Sequence, residues 1–148
     1  MVDGKILAID FGLSQTGFAI SDESQIIAKP LPILSTAEKN FLKNVESLLK
    51  QYQPKLIILG FPVDSNTKSS IINELKLFEE KLKETSSCEI IHVDESFSTQ
   101  VATNLYSQKK NKKIRSKKDR LKMKEKLDSM AAQVILVNYI QNVNSNFY

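Results

Sequence analysis

Asp10, Glu95 and Asp128 are the residues best placed by type and position to do chemistry: three carboxylates, each beside a landmark in the sequence. Asp10 ends the apolar run Lys5–Asp10 (KILAID) and is followed by Gly12 and Gly17, so a carboxylate meets a turn that a substrate backbone could approach closely. Glu95 follows Asp94 at the end of another apolar run, Glu89–Asp94. Asp128 lies on a long helical stretch, where Ala131 and Ala132, three and four residues on, share its face and permit close packing. Carboxylates without His or Cys partners suit hard, oxygen-seeking cations such as Mg²⁺ or Mn²⁺ and argue against a thiol or imidazole zinc site. A pair of such cations can activate water and stabilise the leaving oxygen in phosphodiester cleavage. Plain structural roles stand beside these: a strand-end cap for Asp10, and for Asp128 a solvated helix carboxylate paired with Lys124, four residues earlier.

The elements that must position these acids follow from patterning. Lys5–Asp10 and Phe18–Ser21 read as neighbouring strands around a glycine-containing turn, and Ile26–Ala28 as a third strand stopped by Pro30 and Pro32. Thr36 is a plausible N-cap for a helix over Ala37–Tyr52, with Phe41, Leu42, Val45, Leu48 and Leu49 at helical spacing and Pro54 closing it. Lys55–Gly60 (KLIILG) has the continuous apolar pattern of a strand buried on both faces. A second helix is expected over about Ser69–Lys83, with Ile72, Leu75 and Leu82 inward, before the strand Glu89–Asp94. A helix over Ser98–Ser107 follows, and a last one over roughly Arg120–Ile140 turns Leu127, Met130, Ala131, Val134 and Val137 or Asn138 to one side. Alternating strands and helices imply parallel pairing with right-handed crossovers, giving a three-layer α/β sheet whose first three strands form a meander. Ligands then gather at the carboxyl ends of the strands, where Asp10, Gly60 and Glu95 fall.

The 148 residues suit one domain, 1–148, and a composition of 41% hydrophobic and 26% charged residues is that of a folded globule. The single Cys88 excludes an internal disulfide. With no leader-like start and no apolar stretch near membrane-spanning length, a cytoplasmic protein with no membrane partner is expected. The net charge of +4 is unevenly spread: eleven Lys or Arg and two acids fall between Lys109 and Lys126, and the remainder is net negative. Such segregation marks a surface for polyanions, or else a solvated lysine-rich loop. On the first reading Lys109, Lys110, Lys112, Lys113, Arg115, Lys117, Lys118 and Arg120 grip nucleic acid. His92, inside an apolar strand, is read as packed or hydrogen-bonded; Asp22 and Asp94 as strand-end caps or supports; Ser98 and Thr99 as caps of the following helix.

Four segments carry a family resemblance. Leu7–Asp22 (LAIDFGLSQTGFAISD) resembles the first motif of the YqgF/RuvX family. Ile57–Pro62 (IILGFP) is similar to its Gly-Leu-Pro motif, Val93–Thr99 (VDESFST) to its Asp-Glu-Arg and Thr-Thr motif, and Leu127–Leu136 (LDSMAAQVIL) to its Asp-Ser-x-Ala-Ala helix. Their order and spacing span nearly the whole chain. The resemblance implies an RNase H-like fold and a metal-dependent nuclease acting on structured nucleic acid, described for the family both as maturing the 5′ end of pre-16S rRNA and as a Holliday junction resolvase. It matches Asp10, Glu95 and Asp128 to the family's acidic triad, with Mg²⁺ or Mn²⁺ as cofactor and pre-16S rRNA or branched DNA as partner.

The family's basic residues are missing at three positions: Ser14-Gln15 stands where Lys-Arg is usual, and Ser96 replaces the arginine after the motif glutamate. The lost cations would ordinarily help hold phosphate oxygens, and the Lys109–Lys126 cluster is the natural compensation. The same departures motivate a rival reading, a module that binds structured nucleic acid without cutting it. A second rival, suggested by the Asp10-x-Gly12 turn, is the phosphate-binding turn of actin-like ATPases and sugar kinases. Those need two such domains around the nucleotide, and this length holds one. Cutting two strands of a junction favours a homodimer, whereas trimming one RNA end needs a monomer.

Overall fold

Five strands form one mixed sheet in the order β3-β2-β1-β4-β5, in a computed structural model that describes residues 4–61, 69–94 and 117–145. In the last of these segments side chains are described at Lys118 and from Met130 to Val143. The strands are β1 (Ile6–Asp10), β2 (Gln15–Ser21), β3 (Ala28–Ser35), β4 (Leu56–Phe61) and β5 (Glu89–Asp94); the helices are α1 (Phe41–Tyr52), α2 (Ser69–Thr85) and α3 (Lys117–Ser145). β1, β2 and β3 pair antiparallel as a meander, while β1, β4 and β5 run parallel. This is the expected three-layer architecture, and it aligns the carboxyl ends of β1, β4 and β5 along one edge of the sheet.

Strict alternation divides the core in two. Leu7, Ile9, Phe18, Ile57 and Leu59 face α1 and α2, where Phe41, Val45, Leu49, Leu75, Phe78 and Leu82 complete a cluster rich in aromatic rings. Ile6, Ala8, Ala19, Leu56 and Ile58 face the other way, against Ala132, Ile135, Leu136 and Ile140 of α3. The central strand segment Leu56–Gly60 is buried throughout, as a strand covered on both faces must be.

Four local expectations are corrected. β3 starts at Ala28 and runs through both prolines to Ser35, leaving Ile26 and Ile27 exposed at the β2–β3 tip. Prolines are tolerated because β3 is an edge strand, whose alternate nitrogens face away from β2, and because Pro32 lies at a register shift opposite Gly17. The first helix begins at Phe41, not Ala37, and its N-cap Asn40 makes no side-chain cap; the Thr36 hydroxyl pairs with Thr16 instead. Leu42, expected inward, is exposed, and Phe41, Val45 and Leu49 carry the contact. Among the described side chains of α3 the buried ones are Ala131, Ala132, Val134, Ile135, Leu136 and Ile140, with Asn138 exposed and Leu127 outside the described side chains, because the helix lies across β1, β2 and β3 and buries a wide arc. The expected helix over Ser98–Ser107 lies outside the described residues.

Candidate active site

Asp10 is the last residue of β1 and is half-buried. By alternation it continues the series Ile6, Ala8 and so belongs to the α3 face. Its partner on β2 is Gly17. On the other side Ile9 pairs with Leu59, so the next position of the register sets Gly60 level with Asp10, again on the α3 face. Two glycines therefore flank the carboxylate and put no side chain beside it, which leaves space at the sheet edge for a ligand and for the helix above.

That helix is α3. Position 128 lies on it one turn before Ala132, which is wholly buried against the sheet, and two turns before the buried Ile135. Ala8, Ala19 and Ala132 keep helix and sheet close, so the face that holds Asp10 is the face along which the turn bearing Asp128 runs. The side chain of Asp128 and the whole of Glu95 lie outside the described residues; Val93, two residues before Glu95, faces the α3 cluster. Among the described residues no three His, Cys, Asp or Glu side chains come together. Of the expected triad, the structure thus locates Asp10, fixes the helix that carries Asp128, and leaves Glu95 undescribed.

The turn after Asp10 is firmly built. A Cβ on Gly12 would stand 2.3 Å from the backbone oxygen of Gln15, so only glycine fits there. Thr16, wholly buried, sets its hydroxyl 2.7 Å from that of Thr36 and 3.5 Å from both the backbone nitrogen and the oxygen of Gly12. The Thr36 backbone N–H donates to Ser14 O at 2.9 Å. Sequence reasoning missed this pair, having given Thr36 a capping role; the available signal was a β-branched hydroxyl at the first inward position after the turn. Ser14 is exposed in the turn, and the buried Oε1 of Gln15 accepts no hydrogen bond from the described residues.

The other singled-out residues have structural roles where they are described. Asp22 caps the β2–β3 loop, its Oδ1 accepting from the backbone N–H groups of Ile26 (2.7 Å) and Ile27 (2.9 Å). These donors, Ile27 foremost, hold its carboxyl below the ordinary 3.8. His92 stacks on Phe61 with ring centroids 4.4 Å apart, and its Nε2 lies 2.9 Å from Glu79 Oε2 of α2. It thus belongs to the α2 side, away from Asp10. Asp94 ends β5, paired with Phe61, while Ser96, Ser98 and Thr99 lie outside the described residues. Of the basic residues, Lys117, Lys118 and Arg120 fall in the first turn of α3, with Lys118 exposed; Lys109, Lys110, Lys112, Lys113 and Arg115 lie outside the described residues.

Known proteins resemble this chain in sequence and in fold. The chain is 34% identical over 145 residues to a protein of Sulfurihydrogenibium sp. named "Putative pre-16S rRNA nuclease", covering 95% of this chain and 92% of the relative. Its fold is that of a fowlpox virus resolvase solved with its Holliday junction DNA substrate (TM-score 0.56, 21% identity, 94% of this chain and 98% of the other). RuvC of T. thermophilus, also solved with a Holliday junction, matches with a TM-score of 0.54 at 9% identity, over 89% of this chain and 91% of the other. The RNase H-like reading of the sheet therefore stands. With residues 4–142 matching the model for RuvX, described as a Holliday junction resolvase, the chain belongs to the RuvX family of nucleases.

Proposed function

We propose that the chain hydrolyses phosphodiester bonds of structured RNA, in the 5′-end maturation of pre-16S rRNA, in the cytoplasm. The observation that carries this reading is the half-buried Asp10 at a glycine-flanked opening of the sheet edge, on the face along which α3 carries Asp128. The naming of a relative at 34% identity supports the choice of substrate.

Asp10, Glu95 and Asp128 would hold Mg²⁺ or Mn²⁺; the donors are all carboxylate oxygens, as hard cations require, and the flanking glycines leave room for them. When bound, such ions supply activation of water and neutralisation of charge on the leaving oxygen. The rest is the protein's own work. The rigid turn after Asp10 keeps the carboxylate aimed, and the close helix brings the turn of Asp128 toward the same edge. Lys117, Lys118 and Arg120 stand at the positive end of the α3 dipole, where their mutual repulsion is relieved by a phosphate backbone. Together with Lys109, Lys110, Lys112, Lys113 and Arg115 they hold the strand and replace the cations absent at Ser14, Gln15 and Ser96. A monomer suffices to trim one RNA end.

A second reading, cleavage of four-way DNA junctions by a homodimer, is favoured by the fold shared with junction-cutting resolvases. The test places a labelled pre-16S rRNA fragment and a four-way DNA junction side by side, with Mn²⁺ or EDTA, using wild type and Asp128→Asn. Metal- and Asp128-dependent cutting of the RNA is expected. Cutting of the junction alone would establish the DNA reading, and binding to either without cutting would make the chain a non-catalytic module.

A further inference from the structure

We propose that Thr16 and Thr36 are positioning residues for Asp10: their paired hydroxyls clamp the β1–β2 turn to the end of β3 and so fix the aim of the carboxylate. The proposal rests on the metal-binding role of Asp10 proposed above.

An aspartate at the end of a strand is only as well placed as the turn that follows it. Here the β2–β3 ladder, which should steady that turn, is interrupted close by. Thr16 pairs with Leu34 and Phe18 with Leu31, so β3 spends an additional residue opposite Gly17, the partner of Asp10. Such a bulge re-aims neighbouring side chains and weakens the pairing around it. The clamp reinforces the short stretch of ladder that resumes past the bulge, Thr16 with Leu34 and Gln15 with Ser35. Thr16 Oγ1 lies 2.7 Å from Thr36 Oγ1, a full-strength contact, while its two 3.5 Å contacts to Gly12 are long and weak. One proton arrangement satisfies the group: Thr36 O–H donates to Thr16, Thr16 O–H to Gly12 O, and Gly12 N–H to Thr16 Oγ1. Thr36 adds its backbone N–H to Ser14 O at 2.9 Å. Side chain and main chain of Thr36 thus grip Thr16 and Ser14 at the β2 end of the turn, and Thr16 passes the hold on to Gly12, two residues from Asp10. Thr16 is wholly buried and on the α1 side of the sheet, so it touches neither substrate nor metal and acts through the backbone.

The test compares Thr16→Val, which keeps the shape and removes the hydroxyl, with Thr16→Ser, which keeps the hydroxyl, and with Thr36→Val and the double Val variant. Mn²⁺ binding to the protein alone, followed by electron paramagnetic resonance, is measured beside kcat and KM and beside amide exchange over Phe11–Ser14. Thr16→Val should weaken Mn²⁺ binding and lower kcat by about tenfold or more, the range for residues that orient metal ligands, with KM unchanged. Thr16→Ser should stay within about twofold, and the double variant should be no worse than either single one, as expected of partners in one contact. If Thr16→Val fails to fold, the half-buried Thr36 carries the comparison alone. Wild-type Mn²⁺ affinity and kcat in a folded Val variant would overturn the clamp, as would independent, additive losses. Should Asp10→Asn bind Mn²⁺ as tightly as wild type, it is the metal role of Asp10 that fails; the clamp is then judged by exchange, and unchanged protection in the Val variants overturns it.

Discussion

The two faces of the sheet are packed by different rules. Toward α1 and α2 the core is built from large side chains, with Phe11 stacked on Phe78 at 5.0 Å between ring centroids and Phe41 tilted on the same ring at 5.6 Å. Toward α3 the buried cluster of described residues holds no aromatic ring, Tyr139 packing against it only partly buried, and it includes the alanines Ala8, Ala19 and Ala132. Rings contribute much buried area and hold helices at a distance; alanines contribute little area and let a helix lie close. One face therefore supplies stability, and the other supplies proximity between β1 and the helix bearing Asp128. A protein can afford a lightly packed functional face when the opposite face carries the fold.

Perturbations should separate these two roles. The largest effect belongs to Asp10→Asn, which should reduce cleavage on the order of a thousandfold or more while the protein still folds, since the substitution keeps the side chain's shape and removes the charge that would hold a metal. Full metal-dependent activity in a preparation free of contaminating nuclease would sink the assignment. Next comes Phe78→Ala on the aromatic face, expected to cost about 3–5 kcal/mol by denaturant titration. Activity per folded molecule should persist, and its loss would show that the faces are not independent. Ala132→Leu on the α3 face should cost less, about 1–3 kcal/mol from overpacking. It should nonetheless depress cleavage more than its stability loss explains, because it lifts the helix from β1; a parallel fall in both quantities would count against the proximity argument. Truncating the basic run, by Lys117→Ala with Lys118→Ala, should weaken RNA binding and flatten its dependence on salt concentration, read as a smaller slope of log affinity against log salt.

The smallest effect is expected far from both faces, at the Asp22 cap. Because the backbone N–H groups of Ile27 and Ile26 depress the folded-state pKa of Asp22 below 3.8, its charge stabilises the loop at higher pH. That stabilisation is lost as pH falls through the depressed value. Asp22→Asn should therefore melt slightly below wild type near neutral pH, and the gap should close in acid.

The legibility of these features in the sequence differed by their physical origin. The opening meander, the parallel strands after it and the identity of β4 followed from apolar runs and crossover rules, which are properties of the chain itself. The path of β3 did not, because the tolerance of Pro30 and Pro32 depends on which strand ends up at the edge, a fact of tertiary pairing. The start of α1 was misplaced for a related reason: Thr36 is a good capping residue, yet its hydroxyl found a partner twenty residues back in Thr16. On α3, a single stripe of periodic residues underestimated the buried arc, because a helix crossing three strands is covered over a wider angle than one packed on a single neighbour. In the site, Asp10 and its glycines were visible as types at a strand end, but the fact that Gly17 and Gly60 flank it on both sides needed the register.

The prolines of β3 bear on how copies of this chain meet. An edge strand with free donors invites another strand to extend the sheet, which is how many proteins aggregate or form continuous-sheet dimers. With Pro30 and Pro32 in place of two such donors, that edge is a poor template for a second chain. Crowded chains are thereby kept from joining sheet to sheet along β3, the antiparallel edge of the sheet.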